Sequence, residues 1–394
     1  MQTQPTSPTR ILHGADMFDR MGGVQAMLRR HWRDDAACGV HSQFIAYFDP
    51  ETGPYDRVRG LGLTWRHSIQ TARRRFAAAL PAETETVVYH DFWGLGFFAE
   101  FDQAQRRIGF LHAVWPGLPE LLPVAAPYLD GLFCAGRPWQ TLAEQRCPDL
   151  SRERICVTHL PVDRPAADTR RDPVLGQPLV LGFVGRLSPE KGVHRIPPLV
   201  RALTAAGLDF RFEILGDGRL GPWLRREMAG EPRLHFHGQK SGSAYWDVLR
   251  TWDAMVVVSD MEGGPTALYE AMCVGVLPLF PAGGGGGADY ARAVDPEFLY
   301  PPEDFQHIAR VLQRLVRRPA AEIQALRDHG GELIRDHLGH RYVNTVADFV
   351  LHLGSLPRRS RATFPRRPFY LTDYCPFGLL RRISVRALWR GMRP

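Results

Sequence analysis

The sequence predicts an α/β protein with two doubly wound parallel-sheet domains. Short apolar runs alternate with helical patterns along the first half, a stretch rich in Pro, Asp and Arg interrupts them at 163–178, and the alternation then starts again. Strands that alternate with helices are typical of βαβ units on a parallel sheet. The interruption is typical of an interdomain linker. We therefore expect two Rossmann-like domains facing a central cleft, with ligands at the carboxyl ends of the strands.

The predicted strands are short and apolar. In the first half they are RILHGA (10–15), SQFIAYF (42–48), TVVYHD (86–91), RRIGFLH (106–112), GLFCAG (131–136) and ICVTHLPVD (155–163). In the second half they are LVLGFVGRL (179–187), FRFEILGDG (210–218), LHFHG (234–238), AMVVVSD (254–260) and VLPLF (276–280). Helical patterns lie between them, beginning with GGVQAMLRRHWRDDA (22–36), and two to three helices fill 303–355.

The composition is that of a globular protein. Of the 394 residues, 44% are apolar and 23% are charged, which argues against a disordered chain and favours two domains over one. The first ten residues lack the apolar core of a secretion signal, and no window reaches the ~20 apolar residues of a membrane span. Six cysteines without a C-x-x-C pair indicate reduced thiols in a cytoplasm and no zinc site.

The basic charge is concentrated at the carboxyl end. Residues 358–394 hold ten arginines and one acid, whereas the whole chain carries a net charge of +7, so the rest is close to neutral. In FGLLRRISVRALWRGM the apolar residues form one helical stripe and the arginines lie opposite. This pattern predicts a helix on an anionic membrane surface, to which the arginines at 73–75 would add. A solvated or core-docked helix is the alternative, and nucleic acid is disfavoured because phosphate binding needs no apolar stripe.

The pattern GDGRLG (216–221) matches the dinucleotide fingerprint of a nicotinamide dehydrogenase. That fingerprint should open the first βα unit and be followed by an acid ~20 residues later. Here it follows the second strand of its half, and the next strand ends in HFHGQK without a carboxylate. We interpret the segment as a glycine-rich turn at the edge of the cleft.

A stronger anion site is GRLSPEKG, directly after a predicted strand. Gly185 lets the backbone bend, Arg186 supplies a planar guanidinium, and Lys191 is expected to project from the first turn of a helix that starts at Pro189. The chain has 49 basic residues, of which only Lys191 and Lys240 are lysines. A lysine at this position therefore favours a diphosphate site over a surface salt bridge.

The segment EGGPTALYEAM, which starts at Glu262, predicts a second anion site. Gly263 and Gly264 precede Pro265, which is well placed as the first helical residue. Glu270 lies about a turn and a half into the helix, and helical side chains lean back towards the N-terminus. It would therefore reach ribose hydroxyls next to a bound phosphate, while Glu262 would reach a sugar on the other side.

Together, GRLSPEKG, EILGDG, HFHG and SDMEGGPTALYEAMCVG resemble, in order and spacing, the donor half of GT-B glycosyltransferases, in particular the retaining family 4. The resemblance is close over about 180–290. It implies that Arg186 and Lys191 hold the nucleotide diphosphate, that Glu262 contacts the donor sugar and that Glu270 binds the ribose. The implied donor-binding residues are Gly185, Gly216, Asp217, Gly238, Gln239, Lys240, Gly263, Gly264, Pro265, Thr266 and Glu270.

The first half resembles the family's acceptor domain more loosely. MGGVQ (21–25) is similar to its glycine loop, with Gln25 where the family often has Glu, and VVYHDFWG and FLHAVWPG are similar to its two histidine-bearing strand ends. The implied acceptor-binding residues are Gly22, Gly23, Gln25 and His90. His112 is implied to contact the donor hexose near its reacting carbon. The implied catalytic set is His112, Glu262, Arg186 and Lys191.

One segment departs from the family pattern. AGGGGGADY (282–290) stands where the family usually has Gly-Gly-x-x-Glu, with Asp289 as its acid. Five consecutive glycines predict a mobile backbone, so contacts of residues 284–286 with the donor sugar stay open.

The sequence thus predicts a retaining hexosyltransferase that uses a UDP- or GDP-sugar and a glycan or lipid-linked acceptor of bacterial-type surface polysaccharide or glycolipid assembly. No cofactor and no metal are expected, since no D-x-D triplet is present. The expected location is cytoplasmic, peripheral on the inner face of the membrane. A nucleotide-sugar epimerase, a sugar phosphorylase and a non-catalytic sugar-nucleotide-binding scaffold remain open.

The predicted domain boundaries follow from these assignments. They are 1–165 for an acceptor-binding domain, 178–340 for a donor-binding domain, 341–357 for a C-terminal crossing helix and 358–394 for the basic amphipathic tail.

Overall fold

The structure, a computed structural model, describes residues 8–19, 22–90, 92, 94–113, 117–163, 165, 175–260 and 262–362. The chain divides into two compact units, Met1–Leu160 with His340–Pro394, and Pro161–Gly339. Most of the predicted linker and nearly all of the predicted basic tail lie outside the described residues. Each unit is considered by itself below.

The first unit contains a seven-stranded parallel sheet within the described residues. Its strands are β1 (Thr9–Ala15), β2 (Val40–Ala46), β3 (Val58–Gly60), β4 (Thr86–His90), β5 (Arg106–Leu111), β6 (Gly131–Cys134) and β7 (Ile155–Val157). They lie in the order β3-β2-β1-β4-β5-β6-β7. The helices between them are α1 (Gly23–Asp34), α2 (Ile69–Ala79), α3 (Leu95–Phe98), α4 (Leu118–Ala125) and α5 (Arg137–Arg146). Every residue of β4 is buried, because helices cover both faces of such a sheet.

The second unit repeats this arrangement with a six-stranded parallel sheet. Its strands are β8 (Leu179–Val184), β9 (Phe210–Leu215), β10 (Leu234–Gly238), β11 (Ala254–Val256), β12 (Leu277–Pro281) and β13 (Leu299–Tyr300), in the order β10-β9-β8-β11-β12-β13. Its helices are α6 (Ile196–Ala205), α7 (Gly221–Glu227), α8 (Ser243–Leu249), α9 (Thr266–Cys273), α10 (Ala288–Val294), α11 (Phe305–Leu315) and α12 (Ala320–Leu333). In both units the strand order reverses beside the first strand, as in doubly wound folds. The predicted α/β fold class with two parallel sheets is confirmed.

The sequence pattern missed two strands at sheet edges. β3 has three residues and β13 has two, too few for an apolar run or an alternation to be recognised. Several predicted strands are also shorter in the structure; β11, for example, ends at Val256, whereas the prediction extended to residue 260.

The chain returns to the first unit after the second. Helix α13 (Arg341–Ser355) packs Phe349 and Leu353 into the core of the first unit. Beyond it, Arg359 Nη1 donates to the carbonyl oxygens of Ala126 and Leu129 at 2.6 and 2.8 Å. The first residues of the predicted tail are therefore bound to the first unit.

Among the described residues, no helix combines the length and the apolar character needed to cross a membrane.

Candidate active site

Lys191 and Glu262 form an ion pair in the second unit. Lys191 Nζ lies 2.7 Å from both carboxylate oxygens of Glu262, and the hydroxyl of Ser259 donates to Glu262 Oε1 at 2.5 Å. Glu262 lies between β11 and α9, whereas Lys191 follows β8. The structure thus brings two of the predicted catalytic residues into direct contact. The carboxylate thus balances the charge of the ammonium group, for which the sequence predicted a role in diphosphate binding.

The prediction that an α-helix starts at Pro189 is wrong. Pro189–Lys191 is a single 3-10 turn, Gly192 follows in the left-handed region with φ 66°, and α6 begins at Ile196. A Cβ on residue 192 would lie 2.0 Å from the carbonyl oxygen of Val258. This close approach of the two backbones interrupts the helix and fixes Lys191 near the end of β11.

Arg186 is held less firmly than Lys191. Its Nη1 lies 3.6 Å from Glu190 Oε1, and both side chains are 56% exposed. An exposed pair of this length contributes little to stability. The guanidinium of Arg186 is therefore held only weakly in its position.

Three glycines join the carboxyl ends of β8, β9 and β10. Gly185 N–H donates to the carbonyl of Leu215 at 3.1 Å, and Gly216 N–H donates to the carbonyl of Gly238 at 2.8 Å. Gly216 has φ 142°, and a Cβ there would lie 2.0 Å from the carbonyl oxygen of Gly185. Only glycine allows this approach, so the backbone itself forms this edge of the site.

The remaining predicted donor residues at this edge differ in exposure. Asp217 uses its side chain locally, since Oδ1 accepts a hydrogen bond from the Gly218 N–H at 2.7 Å. Gln239 is exposed and Lys240 is partly exposed after β10. Both residues therefore lie at the surface, directly after the carboxyl end of β10.

Helix α9 begins one residue later than predicted. Pro265 is its N-cap residue, with φ −75° and ψ 78°, and Thr266 is the first helical residue. No side chain caps the described start of this helix, and its first turn contains no acid. Gly263 is buried and Gly264 is partly buried directly before it. The start of α9 therefore keeps the positive end of the helix dipole available to an anion.

Glu270 is bound by a residue that the sequence did not indicate. The hydroxyl of Tyr245, on α8, donates to Glu270 Oε2 at 2.5 Å. Burial raises the pKa of the Glu270 carboxyl to about 7, an effect that the Tyr245 hydrogen bond opposes and the negative charge of Asp163 increases. Near neutral pH this carboxyl is thus poised between its acid and its anion.

The glycine-rich run is hydrogen-bonded to the Glu262 segment. Glu262 N–H donates to the carbonyl of Gly284 at 2.7 Å, and Gly286 N–H donates to the carbonyl of Glu262 at 3.0 Å. Gly285 has φ 101°, and a Cβ there would lie 2.1 Å from the Glu262 carbonyl oxygen. These hydrogen bonds support the backbone at Glu262, since glycines let the two segments pack directly; the mobility of the run stays a prediction.

Three histidines form a hydrogen-bonded row in the first unit. His90 Nδ1 lies 2.8 Å from His112 Nε2, and His90 Nε2 lies 3.0 Å from His13 Nδ1. All three are at most 5% exposed. Burial lowers the pKa of His112 to about 3 and the pKa values of His13 and His90 well below their usual range. The rings are therefore neutral at neutral pH, and both nitrogens of His90 are occupied by histidines, which leaves neither for an acceptor.

In the predicted glycine loop of the first unit, the side chain of Gln25 packs against Gly22. Gln25 is buried, and its Nε2 lies 3.3 Å from Asp16 Oδ1. A Cβ on Gly22 would lie 2.3 Å from Gln25 Oε1. Gly22 precedes α1 and the exposed Gly23 begins it. Gln25 thus folds back over the loop and helps to fix its shape.

Ser259, Tyr245 and His13 are the residues that sequence reasoning missed at these sites. Ser259 lies three residues before Glu262, a spacing that suggests contact only after the turn is known. Tyr245 is 25 positions from Glu270, and no local pattern links the two. His13 lies in a strand predicted from its apolar neighbours, which gave no signal that its ring bonds to another histidine.

No group of three or more His, Cys, Asp or Glu side chains within the described part of the chain is arranged to hold a metal ion.

Comparison with known proteins bears on the second unit most directly. Residues 167–329 match the family model described as Glycosyl transferases group 1. The chain is also 29% identical over 317 residues to the "Putative colanic acid biosynthesis glycosyltransferase WcaL" of Salmonella typhimurium, covering 77% of this chain and 69% of the relative. A stretch of 132 residues is 33% identical to the GDP-mannose-dependent alpha-mannosyltransferase of Mycobacterium tuberculosis, covering 34% and 32% of the two chains.

A solved structure extends the similarity to both units. Anabaena HepE in complex with UDP has a TM-score of 0.69 at 16% identity, covering 88% of this chain and 100% of that chain. At this identity the likeness concerns the fold alone. The comparisons support a GT-B glycosyltransferase. The group 1 match contains Lys191, Glu262 and Glu270, so the contacts described above for these three residues lie within the matched segment, whereas the histidine row lies outside it.

Proposed function

We propose that the chain is a retaining glycosyltransferase of the family 4 type that moves a hexose from a UDP- or GDP-sugar to a glycan or lipid-linked acceptor. The assembly of a bacterial-type surface polysaccharide or glycolipid is the proposed setting, supported by the similarity to WcaL. The observation that carries the proposal is the contact of Lys191 with Glu262 beside the uncapped start of α9. A cation, a carboxylate and the start of a helix lie close together there, which supports the binding of a diphosphate-linked sugar.

In this proposal the diphosphate displaces Glu262 from Lys191. Lys191 and Arg186 then hold the phosphate oxygens, and Glu262, still held by Ser259, accepts hydrogen bonds from the sugar hydroxyls. Glu270 binds the ribose, and the end of β10 borders the base. As the family resemblance implies, His112 is proposed to contact the donor hexose near its reacting carbon.

The proposed reaction proceeds by front-face attack. The bond between the sugar carbon and the diphosphate oxygen breaks, the acceptor oxygen bonds to the same face, and its proton passes to the leaving diphosphate. Lys191, Arg186 and the dipole of α9 stabilise the negative charge that develops on the leaving group. We propose that these groups supply the positive charge without a metal ion and without a cofactor.

Substitution of Lys191 tests the proposal. A thermal-shift screen of nucleotide sugars first identifies the donor, because a ligand that binds the folded state raises its apparent stability. Lys191→Ala should then lower kcat about 10²–10³-fold, since it removes a charge aimed at the leaving group. Arg201→Ala is the matched control, because this arginine lies in the same unit on α6 and is 65% exposed.

Product analysis separates the alternatives. A transferase releases nucleoside diphosphate only when acceptor is present, whereas an epimerase or a phosphorylase does not follow that rule. Binding of the donor without turnover on any acceptor would favour a scaffold. Full activity of Lys191→Ala would contradict the assigned role.

We further propose that the protein is cytoplasmic and binds the inner face of the membrane through its basic tail. The support is the charge of residues 358–394. The arginines at 73–75 contribute less than expected: Arg73 pairs with Glu100, Arg75 donates to the Leu61 carbonyl at 2.7 Å, and Arg74 is exposed.

Flotation with anionic vesicles tests the membrane proposal. The truncated chain should end at residue 362, because a cut at 357 would also remove the Arg359 contacts that belong to the first unit. The full chain should float with the vesicles and lose this in high salt, whereas the 1–362 chain should stay behind. Equal flotation of the two chains would contradict the proposal.

A further inference from the structure

The histidine row follows from the register of three neighbouring strands. His13 in β1 is paired with Val88 in β4, and His90 lies two residues further along β4. His90 is paired with Phe110 in β5, and His112 lies two residues beyond that. Residues two apart share a face of a sheet. The three rings therefore lie on one face, and each is displaced by two residues from the previous one towards the carboxyl ends of the strands.

The chemistry of neutral imidazole limits this row to two arrangements. A neutral ring has one N–H and one bare nitrogen, so each bond in the row uses the N–H of one ring and the bare nitrogen of the next. If His13 Nδ1–H donates to His90, then His90 Nδ1–H donates to His112, and His112 Nδ1 also carries a proton. In the reverse arrangement all three protons are on Nε2, and His112 Nδ1 is bare.

The two ends of the row are therefore coupled. Among the described residues, neither His112 Nδ1 at one end nor His13 Nε2 at the other has a hydrogen-bond partner. A mixed arrangement would lose one of the two bonds between buried rings, and a buried polar group without its bond is costly. The nitrogen that His112 presents as donor or acceptor thus depends on His13, which it does not touch.

We propose that His90 and His13 are positioning residues that share one tautomer with His112, so that the ligand of His112 Nδ1 sets the proton positions of all three rings together. The ligand of that nitrogen, a hydroxyl of the donor hexose, rests on the proposed function; the coupling of the rings does not. A hexose hydroxyl that accepts from His112 selects Nδ1–H in the whole row, and one that donates selects Nε2–H.

His13 is shielded from any ligand by its own unit. Its ring stacks on Phe44 at 5.1 Å between centroids, and the His31 ring of α1 lies 4.7 Å away. The pKa of His31 is also lowered by burial, to about 3, so no ionised histidine disturbs the row. His13 can act on the reaction only through His90.

Nitrogen NMR of the full-length chain, labelled with ¹⁵N-histidine, tests the coupling without any turnover. Long-range proton–nitrogen spectra show which ring nitrogen carries the proton. We expect His13, His90 and His112 to be protonated on the same ring nitrogen. In His90→Phe, the ¹⁵N shifts of His13 and His112 should cease to report the same tautomer population, because the ring that joins the two is gone.

Control variants separate this role from a structural one. His41, exposed on neighbouring β2, is the matched histidine: His41→Phe should leave the His112 signals unchanged. His13→Asn, whose amide reaches the place of Nδ1 and can either donate or accept there, should leave His90 and His112 with one common tautomer. Different tautomers at His90 and His112 in the unmodified chain, which needs no variant to fold, would overturn the proposal, as would equal tautomer populations at His13 and His112 in folded His90→Phe. An inactive chain with the expected signals would instead contradict the proposed function alone.

Discussion

The two units carry their candidate residues in opposite physical states. In the second unit the groups are charged and partly exposed: the Lys191 and Glu262 side chains are 33% and 12% exposed, and Arg186 is 56% exposed. In the first unit His13, His90 and His112 are buried and neutral. The contacts that position the residues also differ. Backbone hydrogen bonds from the glycine-rich run position Glu262, whereas hydrogen bonds between their rings position the histidines.

This difference follows from the free energy needed to bury a charged group and a neutral group in the unliganded protein. An isolated charge is expensive to bury, so it needs water or a counter-charge, and Lys191 has both. A neutral ring can be buried when its hydrogen bonds are met. Ligand binding by the candidate residues of the second unit should therefore depend on salt and pH. The behaviour of the histidines in the first unit should depend on packing and on their tautomers.

The largest effect should come from the backbone edge of the second unit. Gly216→Ala places a Cβ 2.0 Å from the carbonyl oxygen of Gly185 and 3.0 Å from its carbonyl carbon, at φ 142°. Because backbone atoms cannot turn aside, we expect a loss of about 3 kcal/mol in the free energy of unfolding, from strain together with the clash. Urea unfolding followed by tryptophan fluorescence measures it.

A second glycine separates strain from the clash. Gly207 also has positive φ, 69°, but a Cβ there would meet nothing within 4 Å. Gly207→Ala should cost only the strain of about 1–2 kcal/mol. If Gly216→Ala and Gly207→Ala lose the same free energy of unfolding, the backbone around residue 216 relaxes to accommodate the added Cβ. The glycines at the ends of β8 and β9 then do not define the shape of the site.

Much of the fold could be predicted from the sequence because its signals are local. Alternating apolar runs and helical patterns identify βαβ units without knowledge of distant contacts. β3 and β13 were missed since a strand of two or three residues is defined by its partner, Ala46 or Pro281 for example, and not by its own pattern.

The candidate site was predictable only as far as its residues lie at strand ends and helix starts. Lys191, Glu262 and Glu270 were found in that way. Their partners were not: Lys191 and Glu262 are 71 positions apart, and the order of the strands brings them together. The strand ends likewise indicated His90 and His112. Their alignment with His13, however, follows only from the register of β1, β4 and β5.

A smaller effect, the pH dependence of donor affinity, should also distinguish the two units. Burial raises the pKa of the Glu270 carboxyl above its unfolded value of 4.5, to about 7. Without ligand, the folded state therefore holds this proton more tightly, and stability falls as pH rises from about 4.5 to 7. Ribose hydroxyls donate to the anion, so affinity for the donor should rise about tenfold between pH 6 and pH 8, as the ionised fraction does.

Calorimetric titration with UDP-glucose or GDP-mannose, whichever binds, measures this rise at constant ionic strength. Glu270→Gln should bind with an affinity independent of pH over the same range. Tyr245→Phe should move the midpoint upward, because the Tyr245 hydrogen bond lowers the pKa of the carboxyl. His13→Phe should leave the rise unchanged, since the pKa of His112 is about 3 and its ring does not titrate there. A pH response that disappears in His13→Phe but persists in Glu270→Gln would reverse the comparison, because the buried histidines would then be the groups that ionise.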